Sequence, residues 1–459
     1  MAMSCAVPGP RSSSRVFKSG QGGQHDIADR TSEELSLSLS NAQIDGARLL
    51  ADLHKLRSFG AYKTGVHRPT YSKVDMESRE WLAERMREAG LTAEIDGIGN
   101  VIGRGEGEGS RILVGSHTET QNHAGWLDGA LGVMFGLEVA RTLGRGVDVA
   151  AWADEEGHYG SFLGSRSFLG ELSEADIDAA RNRYDGSKLR DALQAAGLSG
   201  KPRLQIEPDR YRCYLEAHIE QGDVLDATGL KIGVVTSIVG IWQYRITFQG
   251  VQNHAGTTRM AIRKDAGVAL VKLCTAIEQR FPQIAGERSV WTVGRITLDP
   301  GAPSIVPGGA EMYFQFRDAD QAVLEGMEAA LHEIVAEAQA AGPCSVTLHT
   351  LSRSTPKIMD ARILDALDRA AERHAPGQHQ RVPSGAGHDA QFLAKAMPAG
   401  MLFVPSIGGI SHHWSEDTAE ADIVLGCQVM SDAVAALLAT DMTDTTPNMP
   451  AVVAPATPG

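Results

Sequence analysis

The sequence predicts an α/β protein with a smaller α+β unit inserted in it, and three observations lead there. Short apolar runs, such as Ile112 to Val114 and Val147 to Trp152, alternate with amphipathic helical stretches, the texture of a sheet flanked by helices. Near Gly240 the texture changes: Tyr244, Ile246 and Phe248 alternate with Arg245, Thr247 and Gln249, as in a strand with one wet face. After Ser352 the first texture resumes, so the middle stretch reads as an insertion.

The chain has 459 residues, enough for two domains and a large core. Its net charge of −14 argues against a general nucleic-acid binder. No apolar run approaches the roughly 18 residues that span a bilayer, so no membrane partner is expected. The five cysteines, Cys5, Cys213, Cys274, Cys344 and Cys427, are scattered and form no Cys-x-x-Cys pair. That usage suits reduced thiols and a cytoplasmic protein. Residues 1–40 read as a disordered extension; the first 25 contain no acid, a composition shared with transit peptides. The Pro-, Thr- and Ala-rich residues 441–459 read as a disordered tail.

In order, a helix is expected through Ile44, Leu49, Leu53 and Leu56, and a second from Glu77 to Ala89, ended by Gly90. Short strands fit Thr92 to Ile95 and Asn100 to Gly103 around an Asp-Gly turn. The run Ile112 to Val114 then delivers His117, and Asp128 opens a helix reaching Leu143. The next buried strand closes on Asp154-Glu155-Glu156-Gly157, and Tyr214 to Ala217 delivers His218. Within 239–352 the order is strand, helix (Ala261 to Phe281), strand, strand, helix (Ala319 to Ala341), strand, a ferredoxin-like plan. Met312, Phe314 and Phe316 share one strand face and should pack under the helices, leaving Tyr313, Gln315 and Arg317 on the other. Residues 41–238 and 353–440 are expected to form the outer domain, the one that carries the candidate chemistry. Its last part holds a helix to His374, the Gly-rich turn of residues 384–389, a strand to Val404, His412 and a final helix.

Four segments of the outer domain carry chemistry: His117 with Asp128, Glu155 with Glu156, His218, and His412. Each follows a strand-like run or a Gly-rich turn, and in an open α/β sheet such ends lie along one edge. Two His and one Glu could hold a single zinc ion. A third His and an Asp suggest two ions bridged by the Asp, which leaves one Glu free to act as a base.

Eight motifs, in order, resemble those of the amidohydrolases related to the M20 metallopeptidases. They are GSHTET, LDGALGV, DEEG with LGSRSF, EAHIEQG, NHAGTT, PGAPSIVPG, SGAGHDA and GISHHWSEDT. The similarity is to the branch of N-carbamoyl-L-amino-acid hydrolases, allantoate amidohydrolases and β-ureidopropionases, and it spans about residues 41–440. It implies a metallopeptidase-like catalytic domain and an inserted lid that also makes a homodimer. It further implies two divalent ions (Zn, or Mn, Co or Ni) held by His117, bridging Asp128, Glu156, His218 and His412. Glu155 then matches the general base, activating water for attack on the carbonyl of an N-carbamoyl amino acid. His254 matches a residue that stabilises the oxyanion, often from the partner subunit. Arg317 matches the group that binds the carboxylate of a small anionic substrate, a role that the resemblance, as for His254, leaves open to the neighbouring site. Gln221 and His388 match residues lining the substrate, and Ser304 stands where the lid usually offers Asn.

Other departures from the motifs bear on the substrate. Glu119 replaces the usual Asp that braces the first His; the longer arm is expected to shift His117. Trp126 precedes the bridging Asp and is a candidate wall against a bulky substrate, its plainer role being packing within the loop. Arg259 and Ala261 replace Pro and Asp after NHAGTT, and His123, His158 and His413 add imidazoles beside the metal motifs. Alternatives are another amide substrate, an allantoate-type ureide or an N-acyl amino acid, and a non-catalytic dimeric binding protein.

Overall fold

The computed structural model describes residues 42–107 and 109–440. The extension and tail expected at 1–40 and 441–459 lie outside the described residues. The principal elements are α1 (Gly46–Ser58), α2 (Lys73–Glu88), β1 (Thr92–Ile95), β2 (Val101–Arg104), β3 (Arg111–His117), α3 (Ala130–Leu143), β4 (Val147–Trp152), β5 (Tyr211–Ile219) and β6 (Ile232–Ile238). There follow β7 (Gly240–Gln249), α4 (Ala266–Arg280), β8 (Val290–Asp299), β9 (Gly309–Asp318), α5 (Gln321–Ala341) and β10 (Ser345–Arg353). The chain closes with β11 (Lys357–Ile358), α6 (Ala361–His374), β12 (His379–Ser384), β13 (Ala399–Val404) and α7 (Glu420–Ala439).

The larger sheet runs in the order β11-β6-β13-β5-β3-β4-β2-β1, with β12 also paired to β6. Its centre, β13, β5, β3 and β4, is parallel. Those four strands therefore end on one edge, and the side chains that follow them meet there. Register fixes the meeting: His117 faces Trp152 across one pair, and His218 faces Phe403 across another. Both β3 and β4 are buried along their whole length, as parallel strands covered on both faces must be. Helix α3 packs on them. Helix α7 has the length and hydropathy of a membrane span, contrary to the expectation that no stretch would. Yet 72 % of its apolar window is buried inside this domain, where it packs on α3 and α6.

The second sheet has the order β8-β9-β7-β10 and is wholly antiparallel. Met312, Phe314 and Phe316 are buried on one face, as expected from parity. They join Leu270, Leu273 and Ile277 of α4 and Leu331 of α5 in a core separate from that of the larger sheet. Burying each such side chain contributes about 1.5–3 kcal/mol. Helix α4 starts later than expected. Met260–Ile262 form only a 3-10 turn, Arg263 is extended, and the carboxylate of Asp265 caps the amide of Val268. Ile262 is left exposed. Strands β6 and β12, and the short helices Leu163–Phe168, Glu174–Ala179 and Leu189–Ala195, add to the expected elements.

Candidate metal centre

The four chemistry-bearing segments converge on the edge where β3, β4, β5 and β13 end. His117 closes β3, and His218 is the penultimate residue of β5. Both imidazoles are oriented from behind. Nδ1 of His117 lies 3.1 Å from the carbonyl of Glu119, and Nδ1 of His218 lies 2.8 Å from that of Ile219. A proton on each Nδ1 leaves both Nε2 lone pairs directed at the centre. Asp128 arrives through Gly129, the N-cap of α3. Gly129 has φ +66°, and a Cβ there would lie 2.3 Å from the ring of His117, so only glycine fits.

Asp128 divides its two oxygens. Oδ1 lies 3.1 Å from Nε2 of His218 and 3.9 Å from Nε2 of His117. Oδ2 lies 3.2 Å from Nε2 of His412, which is 3.7 Å from Oε2 of Glu156. Two groups able to hold a cation result, His117–Asp128–His218 and Asp128–Glu156–His412, with Asp128 common to both. Apart from that contact with His412, Oδ2 of Asp128 is buried without a hydrogen-bond partner. Such an atom costs stability unless something positive completes it, and the donor set fits divalent cations. Glu155 stands apart from both groups, with Oε2 3.5 Å from Nε2 of His117.

The electrostatics agree. Burial, then the charge of Asp128, pushes Glu156 up to about 8. Burial and Glu156 push Glu155 well above the usual carboxylate range. Burial also works to raise Asp128, but its bonds with His218 and His412 outweigh this and hold it well below. The bond to Asp128 lifts His412 to about 9. Carboxylates packed this closely call for cations among them.

Several supporting residues carried no signal in the sequence. Arg79 of α2 is fully buried, bonds both oxygens of Asp75 at 3.0 Å and reaches Oε2 of Glu119 at 2.6 Å. Oε1 of Glu119 accepts the amide of Glu155 at 2.7 Å. The long arm of Glu119 therefore does not brace the imidazole, from which it stands 4.0 Å away; it ties the loop of His117 to that of Glu155. Oε1 of Glu416 accepts the amides of Leu127 and Asp128, and Oε2 accepts the hydroxyl of Ser411. Gly125 makes room for that carboxylate, since a Cβ there would lie 1.8 Å from it.

Trp126 is no wall for a substrate. It is buried, stacks on His54 at 5.2 Å, lies under the guanidinium of Arg57 and donates to Asp417 at 3.2 Å. The additional imidazoles belong to neither group. His123 stacks on His67, His158 lies 3.1 Å from the hydroxyl of Thr70, and His413 bonds Ser415. Gln221, at φ +56°, donates through Nε2 to Oδ1 of Asp128 at 3.1 Å. His388 is buried edge-on to His218 with centroids 4.7 Å apart, and its Nε2 is 2.8 Å from the hydroxyl of Ser384. Arg317 crosses from the second sheet to donate to the carbonyl of Gly385 at 3.0 Å. His254 and Ser304 are exposed on two short paired strands of the second unit and its adjoining loop. Nδ1 of His254 accepts only from its own loop, the amides of Gly256 and Thr257. Among the described residues it bonds none of the metal-centre side chains.

With this geometry in place, comparison with known proteins is decisive. The description Peptidase family M20/M25/M40 matches residues 113–436. The chain belongs to that family. An N-carbamoyl-L-amino-acid amidohydrolase of Paenarthrobacter aurescens is 33% identical over 417 residues, covering 87% of this chain and 100% of the relative. An allantoate amidohydrolase of Escherichia coli (strain K12) is 32% identical over 392 residues, 82% of this chain and 94% of the relative. The crystal structure of an amidase of the hydantoinase/carbamoylase family from Burkholderia phymatum superposes with a TM-score of 0.79. It is 50% identical, and the match covers 86% of this chain and 98% of that one. The M20 protein described here is accordingly an enzyme, a hydrolase of non-peptide carbon–nitrogen bonds in linear amides. That sets aside the non-catalytic binding protein.

Proposed function

We propose that the enzyme hydrolyses an N-carbamoyl amino acid to the amino acid, carbon dioxide and ammonia. In this reading two divalent ions are held by His117, Asp128 and His218 and by Asp128, Glu156 and His412. The observation that carries it is the division of Asp128, one oxygen turned to each ligand group. Bound there, two such ions supply Lewis acidity and lower the pKa of water. Glu155, outside both groups but beside His117, takes a proton at its carboxylate and returns it to the leaving nitrogen. Arg317 has no carboxylate partner among the described residues and suits the substrate carboxylate. His254 stabilises the oxyanion once brought to the centre, with Ser304 beside it. Gln221 and His388 line the substrate next to Asp128 and His218.

Homodimerisation through the second unit belongs to the same proposal. So does a cytoplasmic location, which fits four free cysteines among the described residues. A second reading, an allantoate-type ureide as substrate, is favoured by the near-equal identity of the carbamoyl and allantoate relatives.

The test is a hydrolysis screen of metal-free protein reloaded with Mn, Co, Ni or Zn. It runs over N-carbamoyl, ureido and N-acyl amino acids of varied side chain, with elemental analysis of the bound ions. Ammonia release fastest from N-carbamoyl substrates is expected. Preference for a ureide establishes the second reading, and turnover of N-acyl substrates without ammonia overturns both.

A further inference from the structure

Gln121 lies between the two ligands His117 and Asp128, and all its hydrogen-bonding capacity is used. Nε2 donates to Oε2 of Glu156 at 2.6 Å and to the carbonyl of Glu156 at 3.1 Å. The Gln121 backbone amide faces Oε1 of the same carboxylate at 3.2 Å. On its other side, Oε1 of Gln121 accepts Nη2 of Arg183 at 2.5 Å and the hydroxyl of Tyr184 at 3.2 Å. Two donated and two accepted bonds saturate a primary amide and fix which way it points. A donor is thus held against Glu156, with the acceptor turned outward.

The outer partners come from a small hairpin. Arg181 bridges to Lys188, the amide of Asn182 bonds the carbonyl of Ser187, and the amide of Arg183 bonds the carbonyl of His158. Arg183 lies over the ring of Tyr184 and has no carboxylate partner among the described residues. Its guanidinium is therefore committed to Gln121. By contrast, nothing in this chain of bonds touches His117 or His218.

We infer that Gln121 is a positioning residue for Glu156, braced by Arg183 and Tyr184, and that it sets the affinity of the Asp128–Glu156–His412 position for a divalent ion without setting that of the other. This rests on the two-ion reading above. Gln121 holds both oxygens of Glu156, including the Oε2 that faces His412, so the carboxylate arrives pre-oriented for its ion, and loss of such a partner typically costs about 10–100-fold in metal affinity.

The experiment is calorimetric titration of the metal-free, full-length protein with Mn²⁺, comparing wild type with Gln121→Leu and Arg183→Leu. Arg183 is exposed, so its replacement serves as the variant least exposed to a folding defect; the melting temperature of the metal-free forms checks this. Two equivalents are expected for wild type. In Gln121→Leu one of them should weaken about 10–100-fold while the other keeps its affinity, and Arg183→Leu should weaken the same equivalent by less. Two unaltered equivalents in both variants, or equal weakening of both equivalents, overturns the inference and leaves the two-ion reading standing. A wild type that binds only one equivalent overturns both.

Discussion

Glu155 can be altered without dismantling either ligand group, because it belongs to neither. Glu155→Gln is expected to keep the ion stoichiometry of the wild type and to lower kcat by about 10²–10⁴-fold, the usual worth of a positioned acid–base group. Elemental analysis alongside turnover reads both; an ion-replete variant with near-normal kcat would take Glu155 out of that role. Cysteine reactivity is a second single-residue consequence. Burial pushes the Cys213 thiol up to about 12 and Cys427 well above its ordinary range. Since the thiolate is the reactive form, a raised value means less of it at neutral pH. Both should stay unmodified by a thiol reagent at pH 8 in the native protein and react once denatured, as peptide mass spectrometry would record. At this scale the candidate cluster was legible because each of its segments follows a strand-like run or a Gly-rich turn. Arg79, Glu416 and Gln121 were not, because what defines them is a partner far away in sequence. Glu416 reaches Asp128 from 288 positions along the chain, and no local pattern announces that.

The loop between β3 and α3 shows what element packing adds to composition. A tryptophan two residues before Asp128 looks like a substrate wall when only its neighbours in sequence are known. In the fold it is the anchor between this loop and α1, held by His54, Arg57 and Asp417. Trp126→Ala is therefore expected to destabilise the protein by about 3–5 kcal/mol and to leave KM unchanged. Denaturant unfolding and steady-state kinetics measure the two; a raised KM with unchanged stability would restore the wall. The late start of α4 has a similar origin. The apolar spacing continues back to Ile262, but a carboxylate at Asp265 offers a cap that the spacing alone does not weigh. Backbone strain also gathers here. Of the non-glycine residues with positive φ, His123, Asp154, Gln221 and His412 all lie in the loops that build the centre.

Over the whole molecule, the second sheet ends in two edge strands, β8 and β10, that have no outer strand among the described residues. Of these, β8 leaves Val290, Ile296 and Leu298 exposed. Helix α4 lies alongside: Trp291 donates to Glu278, and a Cβ on Gly267 would touch Leu298. Its Val268 and Val271 are exposed as well. An unpaired apolar edge beside an apolar helix face is an aggregation hazard unless it is covered. In the homodimer proposed above, a second copy related by a two-fold axis would cover it with the same surface and pair β8 with itself. Such a dimer would also address the isolation of His254, whose ring bonds only its own loop among the described residues. If its ring serves the neighbouring centre, two inactive variants should rescue each other. His254→Ala and Glu155→Gln, unfolded together and refolded, form mixed dimers in which one centre has its own Glu155 and the other subunit's His254. Activity is expected to reappear in the mixture and in neither parent. If His254 acts within its own chain, every centre in a mixed dimer lacks one of the two groups and the mixture stays inactive. Ile296→Lys, which places a charge on the open edge, separates the cases further. It should yield a monomer by sedimentation that holds its ions and has lost turnover, whereas an active monomer would place His254 in its own site.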